Sequence, residues 1–250
     1  MAKQVNHQQH YNPAYQPQFT AAPAGVMWEH TLKNGLTLRG EFIESAAGKE
    51  APVLHFVHGN GMACRLYEAF LGTLHQHFAL FLHDSQGHGL SDNGNPKDHP
   101  FAGWNGSAKR VVEVITAQQE NGFLKGRRLI GLGHSFGGAL TLLTAAKHPD
   151  IFESLVLLDA MMFPPTMAKA MSLLSASGLG KHSTLAKQAR ARGAEWESIE
   201  DAFQYFYKRG MLKTWHDDAV YSYLHRCLEE TKDGGRALLC PPWIEASVFA

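Results

Sequence analysis

Short, largely apolar runs alternate along the chain with longer segments whose apolar residues recur every three or four positions. Residues 26–32 and 36–43 flank Asn34-Gly35, a pair that accepts the positive φ values of a tight turn, so the spacing predicts a β-hairpin. Residues 53–57, 78–82, 128–132 and 154–158 are apolar almost throughout rather than alternating, the pattern of strands covered on both faces. Between them, residues 65–76 place Leu66, Ala69, Phe70 and Leu74 at helical spacing. Residues 107–119 do the same with Val111, Val112, Val114 and Ile115, and a helix over 139–147 stops before Pro149. Strand and helix in alternation predict an α/β fold, a mostly parallel sheet with helices on both faces.

The pattern fails at both ends of this region. Residues 1–24 are Gln, His, Asn, Pro and Ala with few aliphatics, a composition that predicts a flexible tail. His7 and His10 have no companion ligands for a metal there. Beyond Ala160, Pro164-Pro165 breaks the chain, and the stretch to about Lys232 reads as helical with no strand candidate of comparable strength. The predicted organisation is a core over residues 25–163, a helical cap over 164–235 and the start of a return to the core over 236–250. In the cap, Ile199, Phe203, Phe206, Tyr207 and Met211 recur at helical spacing, and Trp196, Trp215, Tyr221 and Tyr223 add aromatic surface. Such residues either pack the cap onto the sheet or wall an apolar substrate site.

Composition removes several functions. The 23 Lys+Arg balance 23 Asp+Glu, so no net field favours nucleic acid or anionic lipid. Cys64, Cys227 and Cys240 form no C-x-x-C pair, which argues against a disulfide scaffold and a zinc site and fits a reducing, cytoplasmic compartment. No stretch has the length and apolarity of a membrane span, and the polar N-terminus has no signal-peptide apolar region.

Chemistry concentrates at Gly133-His134-Ser135-Phe136-Gly137, a G-x-S-x-G motif between a predicted strand and helix. A sharp bend there lifts the Ser135 hydroxyl off the sheet, with Gly133, Gly137 and Gly138 giving strand and helix room to approach. The Phe136 amide opens the helix, where unpaired N–H groups favour a developing oxyanion. A second donor is expected from the glycine-rich loop His58-Gly59-Asn60-Gly61, with the Asn60 N–H as candidate. No G-K-[ST] phosphate loop occurs, and Phe136 breaks the G-x-G-x-x-G spacing that starts at Gly131, so no nucleotide cofactor is expected.

From about Val26 onward the chain resembles the α/β-hydrolase fold superfamily, in particular its cap-bearing serine esterases and acyl hydrolases. The resemblance rests on the His58-Gly59 loop, on Asp84-Ser85-Gln86-Gly87-His88-Gly89-Leu90-Ser91-Asp92, on the Gly133 to Gly138 elbow and on Leu155-Val156-Leu157-Leu158-Asp159. It implies a serine hydrolase that cleaves an ester, thioester or related acyl bond of a small or medium-sized substrate through an acyl-enzyme on Ser135; no metal or cofactor is expected. Members that use an Asp nucleophile place it where Ser135 stands. The family usually has Arg at the position of Gln86, so a charged hydrogen-bonding fork is missing from that loop.

The resemblance also exposes a gap. The family orders its triad as Ser, then Asp or Glu, then a His after the last strand. Here His148, His182, His216 and His225 all lack that setting, and in the family His58 holds the oxyanion loop while His134 is the variable elbow position. The general base is therefore expected beyond residue 250, with the final strands absent from the chain and the strand at 154–158 left as an open sheet edge. Asp159 is a candidate acid, though a strand-terminal Asp also caps turns. The competing reading is a non-catalytic or defective hydrolase-fold binding protein. Oligomeric state is not legible.

Overall fold

A computed structural model describes residues 9–164, 166, 167, 169, 173 and 180–250. Val26–Thr31 (β1) and Thr37–Ile43 (β2) form the hairpin, with Thr31 opposite Thr37 and Gly35 at φ +85° in the turn. Val53–Val57 (β3), Ala79–Asp84 (β4), Leu129–His134 (β5) and Ser154–Leu158 (β6) complete a six-stranded sheet of order β1-β2-β4-β3-β5-β6. The last four strands in that order are mutually parallel; β1 and β2 are antiparallel additions at one edge.

Alternate residues of the buried strands feed opposite layers, as strand pleating requires. Val53, Val57, Ala79 and Phe81 join Val111, Ile115 and Leu140 on one face, whereas Leu54, Phe56, Leu80 and Leu82 join Leu71 on the other. The helices behind these layers are Glu68–Leu74 (α1), Gly103–Asn121 (α2) and Phe136–Lys147 (α3), so the α/β arrangement has helices on both faces. A single 3₁₀ turn, Cys64–Tyr67, replaces the start of the first expected helix. Helix α2 begins four residues earlier than its apolar spacing predicts. Trp104 in its first turn donates Nε1–H to the Val248 carbonyl at 2.9 Å and meets Phe136 edge-on, contacts that outweigh the roughly 1 kcal/mol propensity cost of each nearby glycine.

Strand β6 pairs with β5 alone among the described residues, and its Val156 is 43% exposed.

The region after β6 carries Thr184–Arg190 (α4), Glu195–Trp196 (β7), Ile199–Phe206 (α5), Asp217–Arg226 (α6), Leu228–Glu230 (β8), Arg236–Leu238 (β9) and Pro242–Val248 (α7). Ser183 and Ser198 cap α4 and α5 by accepting from the Ala186 and Asp201 amides. The largely helical cap expected from the sequence also contains short strands. Strands β7, β9 and β8 form a small antiparallel sheet, too short to leave a two-residue periodicity. Residues 236–238, expected to begin the return to the core, are its central strand. Phe203, Phe206, Tyr221 and Tyr223 are buried together against Met62, Ala63 and Leu66, so these aromatics pack the cap on the core.

The tail also differs from expectation. Residues 1–8 lie outside the described part, but residues 9–24 run along the cap and onto the core. Tyr15 stacks on Tyr221 with ring centroids 3.9 Å apart, and its hydroxyl donates to Asp218 at 2.6 Å. The Tyr11 and Asn12 amides donate to Glu200 and to the Tyr221 hydroxyl. Further along, Arg65 donates to the Ala22 and Pro23 carbonyls. Counting aliphatics overlooked tyrosines that bury ring area and anchor a hydroxyl at once. Among the described residues no helix is long and apolar enough to cross a membrane.

Candidate active site

Ser135 occupies the one-residue junction between β5 and α3 at φ +52°, ψ −116°, a left-handed backbone that is costly for a side chain with a Cβ. The bend is held on both sides, because the Ser135 amide donates to the Leu158 carbonyl at 2.9 Å and its carbonyl accepts from the Met161 amide at 3.1 Å. Close packing explains the surrounding glycines. A Cβ on Gly137 would lie 2.2 Å from the Val57 carbonyl oxygen and 2.4 Å from that of His58; one on Gly133 would lie 2.5 Å from the Gly137 carbonyl oxygen. The elbow is thereby pressed against the end of β3, where the His58 to Gly61 loop begins. Ser135 is half-buried, and no hydrogen bond among the described residues engages its hydroxyl. Phe136 is the first residue of α3, so its N–H has no intrahelical acceptor.

Three amides of the loop after β3 have partners. Gly59 N–H donates to the Tyr67 hydroxyl at 3.1 Å, Gly61 N–H to His88 Nε2 at 3.0 Å and Met62 N–H to the Gly59 carbonyl at 3.2 Å. No acceptor among the described residues takes the Asn60 N–H, while the Asn60 side chain donates Nδ2–H to the Glu245 carbonyl at 3.0 Å. Tyr67 also bonds His134 Nδ1 at 2.6 Å, and burial pushes its phenol up, so it stays protonated and joins the elbow to the loop.

His58 and His88 are fully buried, and their neighbours fix their tautomers. His58 Nδ1 faces the Gly59 carbonyl at 2.8 Å and must donate; its Nε2 receives the Ser85 N–H at 3.0 Å and must accept. His88 repeats the arrangement, Nδ1 on the Gln86 carbonyl at 2.9 Å and Nε2 under the Gly61 amide. Burial pushes His58 down to about 4 and His88 to about 3, so both are neutral. Both ring nitrogens of each are engaged in backbone bonds, which leaves no lone pair for a serine proton.

Asp84, at the end of β4, accepts from the Cys64 amide at 2.8 Å and the Leu90 amide at 3.1 Å; burial raises its pKa while these bonds oppose the rise. Gln86 does not leave its loop untethered. Its Nε2 donates to the His99 and Asn93 carbonyls, and its Oε1 accepts from Arg110 on α2, so a guanidinium reaches the loop from a different element. Asp159, just past β6, has φ +44° and is exposed. Among the later histidines, His148 ends α3, His182 lies in a 3₁₀ turn, His216 caps α6 and His225 bonds the Tyr11 hydroxyl.

Tyr67 and Glu245 were not singled out by sequence reasoning. Tyr67 lies eight positions past Gly59 on a turn with no motif, and Glu245 is brought in by the packing of α7. All three cysteines are free and buried, and no group of three or more His, Cys, Asp or Glu among the described residues is placed to hold a metal.

The chain is 28% identical over 197 residues to the (lyso)-N-acylphosphatidylethanolamine lipase of Bos taurus, covering 74% of this chain and 54% of that protein. It thus spans about half the length of the curated relatives it matches. A solved E-2-(acetamidomethylene)succinate hydrolase superposes with a TM-score of 0.63 at 22% identity, covering 89% of this chain and 72% of the other. An α/β hydrolase from Novosphingobium aromaticivorans gives 0.65 at 18% identity, covering 88% and 70%. Residues 48–216 match the family described as "Serine aminopeptidase, S33", and with most of its length inside that match the chain belongs to this family of α/β-hydrolase fold.

Proposed function

We propose that the protein carrying this chain is a serine hydrolase that cleaves an ester, thioester or related acyl bond through an acyl-enzyme on Ser135. The observation that carries the reading is the left-handed Ser135 at the β5–α3 bend, a strained conformation retained where two loops meet. In the proposed cycle the Ser135 oxygen attacks the carbonyl carbon, the carbonyl oxygen becomes an oxyanion between the Asn60 and Phe136 amides, and the alcohol or thiol departs. Water then releases the acid. The base that takes and returns the proton is a histidine other than His58 and His88, whose ring nitrogens are all engaged in backbone bonds; Asp159, exposed beside the bend, is a candidate for its acid. A relative named as a lipase supports acyl substrates. The three buried free thiols suit a reducing, cytoplasmic setting.

The test is labelling with a fluorophosphonate, followed by peptide mapping. The full-length protein is expected to gain one phosphonyl group on Ser135, abolished in Ser135→Ala. Failure of the full-length protein to react, or reaction elsewhere, contradicts the reading.

A further inference from the structure

The Gly59–Asn60 peptide is planar and trans, so its N–H points opposite to its carbonyl. Two donors grip that carbonyl, His58 Nδ1–H at 2.8 Å and the Met62 amide at 3.2 Å. The direction of the Asn60 N–H is therefore set from behind. The next peptide, Asn60–Gly61, needs its own restraint, because Gly61 is at φ +72° and a glycine there has backbone freedom to turn away. Its N–H is held by His88 Nε2 at 3.0 Å, and the Gln86 carbonyl claims the proton on Nδ1. Asn60 Oδ1, 3.3 Å from Nε2, meets no proton there and is a neighbour rather than a partner. Cys240 Sγ, buried and 3.2 Å from the same nitrogen, is a protonated thiol that can donate only to an unprotonated Nε2, which fits the same tautomer.

We propose that His88 is a positioning residue for the oxyanion donor: as the Nδ1–H tautomer it anchors the Asn60–Gly61 peptide and so keeps the Asn60 N–H aimed at the reacting carbonyl. This rests on the Ser135 reading above, but the clamp itself is observable without turnover. His88 comes from the loop after β4, whereas the peptide it holds follows β3, so two neighbouring parallel strands share the work of building one donor. A histidine serves because it carries a donor and an acceptor about 2 Å apart on a rigid ring, which matches one loop carbonyl to another loop's amide.

Two variants separate the halves of the ring. Asn places its amide near the Nδ1 position and keeps the bond to the Gln86 carbonyl; Gln reaches the Nε2 position and restores an acceptor for Gly61. Turnover of a p-nitrophenyl ester by the full-length protein is expected to fall roughly 100-fold in kcat for His88→Asn, the scale of losing one oxyanion donor, with KM within about twofold. His88→Gln is expected to stay within about tenfold of the parent. Equal kcat for the two variants overturns the proposal. In the unsubstituted protein labelled with nitrogen-15, His88 Nε2 is expected to show the shift of an unprotonated acceptor and a through-bond coupling to the Gly61 amide. A protonated Nε2, or no coupling, overturns it even if a variant fails to fold. Absence of Ser135-dependent turnover alongside an intact coupling would refute the hydrolase reading and leave the clamp standing.

Discussion

Gly137 carries as much of the site as Ser135 does, because its missing Cβ is what lets α3 start against the His58 carbonyl. Gly137→Ala is therefore expected to destabilise the protein by about 2–3 kcal/mol or prevent folding, measured by urea denaturation; a change under about 0.5 kcal/mol would contradict the packing. Burial raises the pKa of Cys64 and Cys240 far above the ordinary thiol range, so neither should react with iodoacetamide at pH 8 until the protein unfolds. At this scale the motif residues were readable from spacing, since G-x-S-x-G needs small residues on both sides of the nucleophile. Tyr67 and Glu245 were not readable, because their positions depend on how a 3₁₀ turn and a distant helix dock. The guanidinium that reaches the Gln86 loop is hidden from the sequence for the same reason: Arg110, which supplies it, lies on α2.

Among the elements, buried strands were the most legible and short cap strands the least. A run such as Val53–Val57 advertises burial on both faces, whereas β7 has two residues and leaves no period to detect. The N-terminal segment shows what an aliphatic count misses. Tyr11 and Tyr15 both stack on Tyr221 of α6, while Arg65 holds the same segment to the core, so it straps cap to core. Tyr15→Ala removes the stack and the bond to Asp218 and is expected to cost roughly 1–2 kcal/mol. Limited proteolysis should then cut the cap sooner than in the parent, and an unchanged digestion pattern would argue that the strap is passive.

At the scale of the molecule, the arrangement of buried histidines sets a pH response. Burial pushes His55 to about 3, His58 to about 4, His88 to about 3 and His83 well below its ordinary value. These groups are neutral when folded and titrate near 6.5 when unfolded, so the unfolded state takes up more protons as pH falls. Their stability contribution is complete above about pH 6.5 and declines below it, each histidine losing roughly 1 kcal/mol per pH unit until its folded pKa is reached. Asp84, raised by burial, offsets part of this loss nearer the carboxylate range. A melting temperature that drops steadily from pH 7 to pH 5 is expected; a flat profile would contradict the burial. Among the described residues β6 pairs with β5 only and its Val156 is exposed, so Val156→Lys is expected to reduce aggregation of the 250-residue chain, read by light scattering.

The central claim is that Ser135 carries the acyl group. Rapid-quench mass spectrometry of the full-length protein mixed with p-nitrophenyl acetate addresses it most directly. A transient acetyl adduct on the peptide containing Ser135, absent from Ser135→Ala, is the predicted result; turnover with no adduct there, or with the adduct on another residue, would contradict it.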